Sequence, residues 1–283
     1  MVDTARHPEP VSLGAHSARL KRLRRLVRQT KVRSDERAFV VDGPTLVIEA
    51  LASPCPLEAV FVGAVNGWDL LIAELESAGA SLGSTPVYTV DDDTLTSILD
   101  PANPRPVAAI VESPSSSLGD IDADLPILVA VELRDPGNLG TIIRTAEAAG
   151  FGGVVIVGQS VDHLNPKAVR ASAGSVLRLP IVVDGAVDEA VQALRSTGRP
   201  VVATVVEPAA PAYDRLDLTS AAILLGNEPR GLEPAVIASA TEVVTIPMAD
   251  GVESLNVGAA AAVLAFEVAR QRRNRSSFDP DPS

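Results

Sequence analysis

The chain has 283 residues, 46% of them hydrophobic and 3% aromatic, which suits two domains with real cores. One cysteine, Cys55, excludes an internal disulfide and favours a reducing compartment; the longest apolar run, residues 257–266, falls far short of the roughly 18 residues of a membrane span. The net charge of −12 argues against a general nucleic-acid coat, yet residues 1–40 hold ten Lys/Arg against four Asp/Glu, about +6, leaving the remainder near −18.

Residues 1–16 are polar, contain Pro8 and Pro10 and show no periodicity. They read as a disordered tail with no signal peptide, so a soluble cytoplasmic protein is expected. A basic helix follows, with Leu20, Leu23 and Val27 at helical spacing. Its cations have two readings: a solvated face, or a phosphate-contacting patch of Arg22, Arg25, Arg28, Lys31, Arg33 and Arg37. Phe39-Val40-Val41 begins an α/β pattern, with strand-like runs at 59–62, 87–90 and 107–111 and helical segments at 45–52 and 68–78. A small domain over 17–112 is expected. Residues 113–124, rich in serine with Pro114 and Gly119, read as a linker.

From 125 to 283 the pattern changes. Short β-branched runs at 127–131, 154–157, 181–183, 201–206, 222–225 and 243–246 suit strands covered on both faces, and helical segments at 139–149, 187–195 and 234–240 separate them. The expected fold is a doubly wound α/β domain with a parallel sheet.

Three strand-to-helix turns stand out, at the strand ends where open α/β sheets bind ligands. In Asp135-Pro-Gly-Asn-Leu-Gly-Thr-Ile-Ile-Arg144, Asn138 suits an N-cap, and Arg144 can lean back toward the strand ends, where a planar guanidinium suits a phosphate or carboxylate. Gly226-Asn-Glu-Pro-Arg-Gly231 is compatible with a plain type I turn or with close approach of a ligand to Gly226. Glu228 is the residue a mere turn does not require, and beside Arg144 it would orient the guanidinium. After Ile246 and Met248, Ser254 can cap the last helix, with Asn256 just inside it. That helix is apolar all round from 257 to 266 and needs cover on every side, which a second subunit would supply. The scattered His7, His16 and His163 offer no metal site.

Together these segments resemble the SpoU, or TrmH-like, family of S-adenosylmethionine-dependent RNA ribose 2′-O-methyltransferases within the SPOUT superfamily. The resemblance runs over 125–272, and 37–50 resembles the L30e-like substrate-binding domain often fused to that family. It implies a trefoil-knotted catalytic domain, which general topology rules would disfavour, and an obligate homodimer. It also implies catalytic roles for Asn138, Arg144, Glu228, Ser254 and Asn256, and a cofactor held against Thr204, Gly226, Ile246, Met248 and Leu255, largely by backbone groups. Ala171-Ser-Ala-Gly174 resembles a further family segment, and Gly258 departs from it where serine or another small polar residue is expected. Arg144 would bind the adjacent phosphate and stabilise the developing oxyanion, a safer role than general base for a group so hard to deprotonate. With few aromatics to stack bases, RNA recognition would rest on shape and phosphates. Ribosomal 23S RNA is the expected substrate; transfer RNA, or a catalytically silent knotted RNA-binding factor, are the alternatives.

Overall fold

Two sheets organise the chain, seen in a computed structural model that describes residues 8–99, 105–227 and 230–276. The chain divides into two units, Met1–Pro114 with Leu164–Arg178, and Ser115–His163 with Leu179–Ser283.

The first unit opens with β1 (Val11–Ser12), which runs parallel to β4 (Val87–Val90), so part of the segment expected to be disordered is an edge strand. Ser17 caps α1 (Ala18–Arg28) by accepting a hydrogen bond from Leu20 N at 3.2 Å. Leu20, Leu23 and Leu26 recur every three residues and are fully buried, each contributing roughly 1.5–3 kcal/mol. Then come α2 (Thr30–Glu36), β2 (Ala38–Asp42), α3 (Pro44–Ala52), β3 (Leu57–Gly63), α4 (Gly67–Ala78), β4, α5 (Asp92–Ile98) and β5 (Val107–Glu112). Strand order is β1-β4-β3-β5-β2, with β5 antiparallel to both neighbours. The sequence reading lacked α5, although Asp91 accepts from Thr94 N at 2.9 Å and caps it.

In the second unit, the expected linker is partly structured: Ser117 and Asp120 form a reciprocal cap and Ile121 is buried in the core. Next follow β6 (Ile127–Val131), α6 (Pro136–Ala148) and β7 (Gly153–Val157). Residues Leu164–Arg178, with α7 (Pro166–Ala171), belong to the first unit, where α7 packs beside β2 and Arg170 pairs with Asp42 at 2.7 Å. The second unit then continues through β8 (Ile181–Asp184), α8 (Val187–Ser196), β9 (Val201–Val205), β10 (Ala222–Leu225), α9 (Pro234–Ser239), β11 (Glu242–Thr245) and α10 (Val257–Ser276). All six strands are parallel, in the order β11-β9-β10-β6-β7-β8. The central strands β10, β6 and β7 are buried along their whole length, as continuous apolar runs require, while Val183 on edge strand β8 is exposed.

Candidate active site

Because β11, β9, β10 and β6 are neighbours and parallel, all three strand-to-helix turns leave the same edge of the sheet. After β6, Asp135 caps α6, accepting from Asn138 N at 2.9 Å, and Pro136 takes the first helical position, where its missing N–H costs nothing. Asn138 is therefore not the cap, as its residue type had suggested: Asp135, three positions earlier, takes that place and satisfies the backbone N–H of Asn138 itself. Its carboxamide is turned to another partner, Asn256, whose Nδ2 donates to Asn138 Oδ1 at 3.0 Å.

Asn256 also corrects the reading of the last helix. It stands immediately before α10 rather than inside it, and its Oδ1 accepts from Gly258 N at 2.9 Å and Ala259 N at 3.3 Å. The cap expected of Ser254 thus belongs to Asn256, and Ser254 lies two residues upstream, exposed. One carboxamide closes a helix end with its oxygen and joins the first motif to the third with its nitrogen.

Arg144 projects from α6 on the side away from buried Leu139, Ile142, Ile143 and Ala146. Its side chain is exposed, and among the described residues none forms a hydrogen bond or ion pair with it. Glu228, assigned to orient it, lies outside the described residues.

The turn after β10 is tight. A Cβ on Gly226 would fall 2.4 Å from Gly231 C and 2.6 Å from Leu232 N, so only glycine fits where the loop folds back. Gly231 N donates to Asn227 O at 2.7 Å, and Asn227 Nδ2 donates to Glu132 O at 3.0 Å, lashing the end of β10 to the end of β6. Asn227 is only 8% exposed. Its position in the sequence, directly after the glycine that follows the strand, is the signal for this role.

Ile246 and Met248 line a pocket of about 430 Å³ formed by segments 206–212 and 245–252. Met248 lies beyond the end of β11, and among the described residues its backbone groups make no hydrogen bond within the protein. A pocket of this size, edged by the unused backbone groups of Met248, fits a nucleoside-bearing cofactor held by main chain. Thr204 sits half-buried on β9, with its hydroxyl donating to Leu224 O at 2.8 Å, and half-buried Gly226 ends the neighbouring strand. Leu255 is 39% exposed on the segment before α10 and does not line this pocket. The loop 206–212, which forms the opposite wall, was missed because its Pro208, Ala209, Ala210 and Pro211 read simply as a connection.

The basic N-terminal residues divide sharply. Arg33 is 2% exposed and donates to Leu26 O at 2.6 Å, Val27 O at 3.2 Å and Thr30 Oγ1 at 3.0 Å, closing the end of α1. Arg22 is held by Glu36 at 2.6 Å and by Glu58 through two nitrogens, which keeps its proton bound even more firmly than usual, Glu58 contributing most. Lys31 pairs with Asp35 at 2.8 Å and Arg25 approaches Glu36 at 3.8 Å. Arg28 and Arg37 are exposed, and among the described residues neither has a charged partner. Arg37 takes the left-handed conformation that ends α2. Burial thus removes Arg33 from the expected phosphate-contacting patch, and acidic neighbours compete for Arg22. Among the described residues no helix is long and apolar enough to cross a membrane, and no cluster of three or more His, Cys, Asp or Glu can hold a metal ion.

Comparison with known proteins fits this geometry. Residues 126–266 match the model of the SpoU rRNA methylase family, and residues 17–109 match an MRM3-like substrate-binding domain. The 23S rRNA (guanosine(2553)-2′-O)-methyltransferase of Bacillus subtilis is 30% identical over 241 residues, covering 84% of this chain and 91% of its own. The 23S rRNA (uridine(2479)-2′-O)-methyltransferase of Streptomyces viridochromogenes is 38% identical over 177 residues, 60% of this chain and 61% of its own. Among solved structures, the SpoU methyltransferase AviRb of Streptomyces viridochromogenes, in complex with its cofactor AdoMet, superposes with a TM-score of 0.81 at 29% identity, covering 91% of this chain and 99% of that one. The expected α/β class, with a parallel sheet and an N-terminal substrate-binding domain, is therefore the fold of these relatives. With that likeness across most of its length, the chain belongs to the SpoU rRNA methylase family.

Proposed function

We propose that this protein transfers a methyl group from S-adenosylmethionine to a ribose 2′-hydroxyl of 23S ribosomal RNA. The observation that carries the reading is the Asn138–Asn256 hydrogen bond, which joins the first and third motifs at the start of the helix that carries Arg144, a residue with no partner among the described residues. The family membership and the relatives' 23S rRNA activities support it.

In this reading the backbone of Ile246 and Met248 holds the cofactor in the pocket beside β11, while Thr204 on β9, Gly226 after β10 and Leu255 before α10 lie outside the lining of that pocket and contact the cofactor from the neighbouring segments. The bound cofactor supplies an electrophilic methyl group on a positively charged sulfur. Transfer then requires in-line placement of the ribose oxygen at roughly 3–3.5 Å rather than covalent catalysis by the protein. Arg144 binds the neighbouring phosphate and stabilises the negative charge that develops on the ribose oxygen as its proton leaves to solvent, through a guanidinium that has no partner among the described residues. Asn138 and Asn256 hold the wall of the site rigid, Ser254 helps to hold substrate or cofactor, and Glu228 has the role of orienting Arg144.

The protein acts in the cytoplasm as a homodimer. Support for the dimer comes from α10, where Ala261, Leu264, Ala265 and Val268 are buried while Ala259 is exposed and Phe266 is 52% exposed on the other side. An apolar helix with an uncovered face is a natural place for a second copy. The decisive experiment is incubation with 23S rRNA and methyl-labelled S-adenosylmethionine, followed by mapping of the label. A single labelled ribose 2′-oxygen is expected, and absence of label from 23S rRNA would overturn the reading.

A further inference from the structure

Where α6 meets α10, four residues form one juncture. Gly258, at the second position of α10, is buried, and a Cβ there would lie 3.1 Å from Asn256 Oδ1, 3.1 Å from Thr141 Cγ2 and 3.4 Å from Thr141 Cβ. Both neighbours are held by hydrogen bonds, so either can give way only by disturbing them. The Asn256 carboxamide is held at both ends, its oxygen by Gly258 N and Ala259 N and its nitrogen by Asn138 Oδ1. The Thr141 hydroxyl donates to Gly137 O at 2.8 Å, and a β-branched side chain on a helix has little torsional freedom left once that bond is made. Thr141 also lies one turn from Asn138 on α6, so its methyl group and the Asn138 carboxamide are neighbours on that helix.

Resting on the assignment of Asn138 and Asn256 to the methyl-transfer site, we propose that Thr141 and Gly258 are positioning residues that set the hydrogen bond between those two asparagines. The Thr141 methyl fills the space that a side chain at 258 would need. The glycine found where serine was expected is thereby paired with a branched residue across the helix contact. A side chain at 258 displaces the Asn256 carboxamide by a few tenths of an ångström, enough to disturb the geometry of the site while leaving the apolar contacts of both helices in place.

The test is a cycle of Gly258→Ser, Thr141→Ala and the double variant, in the full chain. Two readouts are taken: kcat and KM for methylation of 23S rRNA, and the Asn256 side-chain amide resonances of cofactor-free protein labelled with ¹⁵N. Gly258→Ser is expected to lower kcat about tenfold with little change in the KM for S-adenosylmethionine, and to shift the Asn256 resonances. Adding Thr141→Ala restores both toward wild type. Wild-type kcat and resonances in Gly258→Ser, or a double variant no better than the single one, would overturn the proposal. If Gly258→Ser does not fold, Gly258→Ala, which adds the Cβ alone, takes its place in the same cycle. Should the unaltered protein leave 23S rRNA unlabelled, the functional reading fails, and the resonances alone decide whether Thr141 and Gly258 position the pair.

Discussion

Arg33 in the first unit and Arg144 in the second both sit on helices, yet their surroundings are opposite. Arg33 is almost wholly buried and spends its donors on two carbonyls and a hydroxyl at the end of α1. Arg144 is exposed in the third turn of α6, and no described residue pairs with it. A guanidinium saturated by internal acceptors has nothing to offer a ligand, whereas one left open keeps its full fork for a phosphate. Arginine counting alone points to the N-terminal helix as the nucleic-acid surface, but the side-chain partners shift the weight toward Arg144, Arg28 and Arg37.

The contrast breaks first at Arg144. Replacing it with alanine should reduce kcat for methyl transfer about 10²–10³-fold, while calorimetry finds S-adenosylmethionine binding essentially unaltered; near-normal turnover would remove Arg144 from the mechanism. Arg33→Ala should do the reverse, costing about 2 kcal/mol in a urea titration because buried carbonyls lose a charged donor. The folded fraction should methylate at the normal rate. Loss of RNA affinity without loss of stability in that variant would restore Arg33 to the RNA surface.

Exposed Arg28 gives a smaller effect. If it touches a phosphate, Arg28→Ala should weaken RNA binding severalfold and lower the slope of log affinity against log salt by about 1, and an unchanged slope would return α1 to the role of a solvated face. Smallest of all is the surface pair of Arg270 with Glu267 on α10, at 2.7 Å. The hydrogen bond from Arg270 holds the Glu267 carboxyl below the ordinary glutamate range. Its stabilising effect is therefore complete above that range and lost as pH falls through the lower folded value. Glu267→Gln should shift the thermal midpoint by at most about 2 °C near neutrality and not at all in strong acid. A midpoint difference that persists in strong acid would mean the pair acts through packing.

Much of this was legible beforehand because the signals are local. Six β-branched runs appear as six parallel strands with boundaries shifted by a residue or so, and the leucine spacing of α1 matches its buried face. The helix starts were harder, since several residues near each turn can cap and only geometry selects among them. Asp135 rather than Asn138 closes α6, and Asn256 rather than Ser254 closes α10. Short elements were also lost, among them β1, α5 and α7, since a few residues carry too little periodicity to be recognised.

The sequence by itself determined the alternation of strands and helices, the parallel sheet and the three polar turns at strand ends, all of which follow from hydrophobic period and turn chemistry within a short window. Only the tertiary structure decided which arginine is consumed and which stays open, that Leu164–Arg178 joins the first unit, and that Asn138 meets Asn256 across 118 residues of chain. Each of these depends on a partner far away in sequence. A side chain's identity states how many hydrogen bonds it can make, and the fold alone supplies the groups that take them.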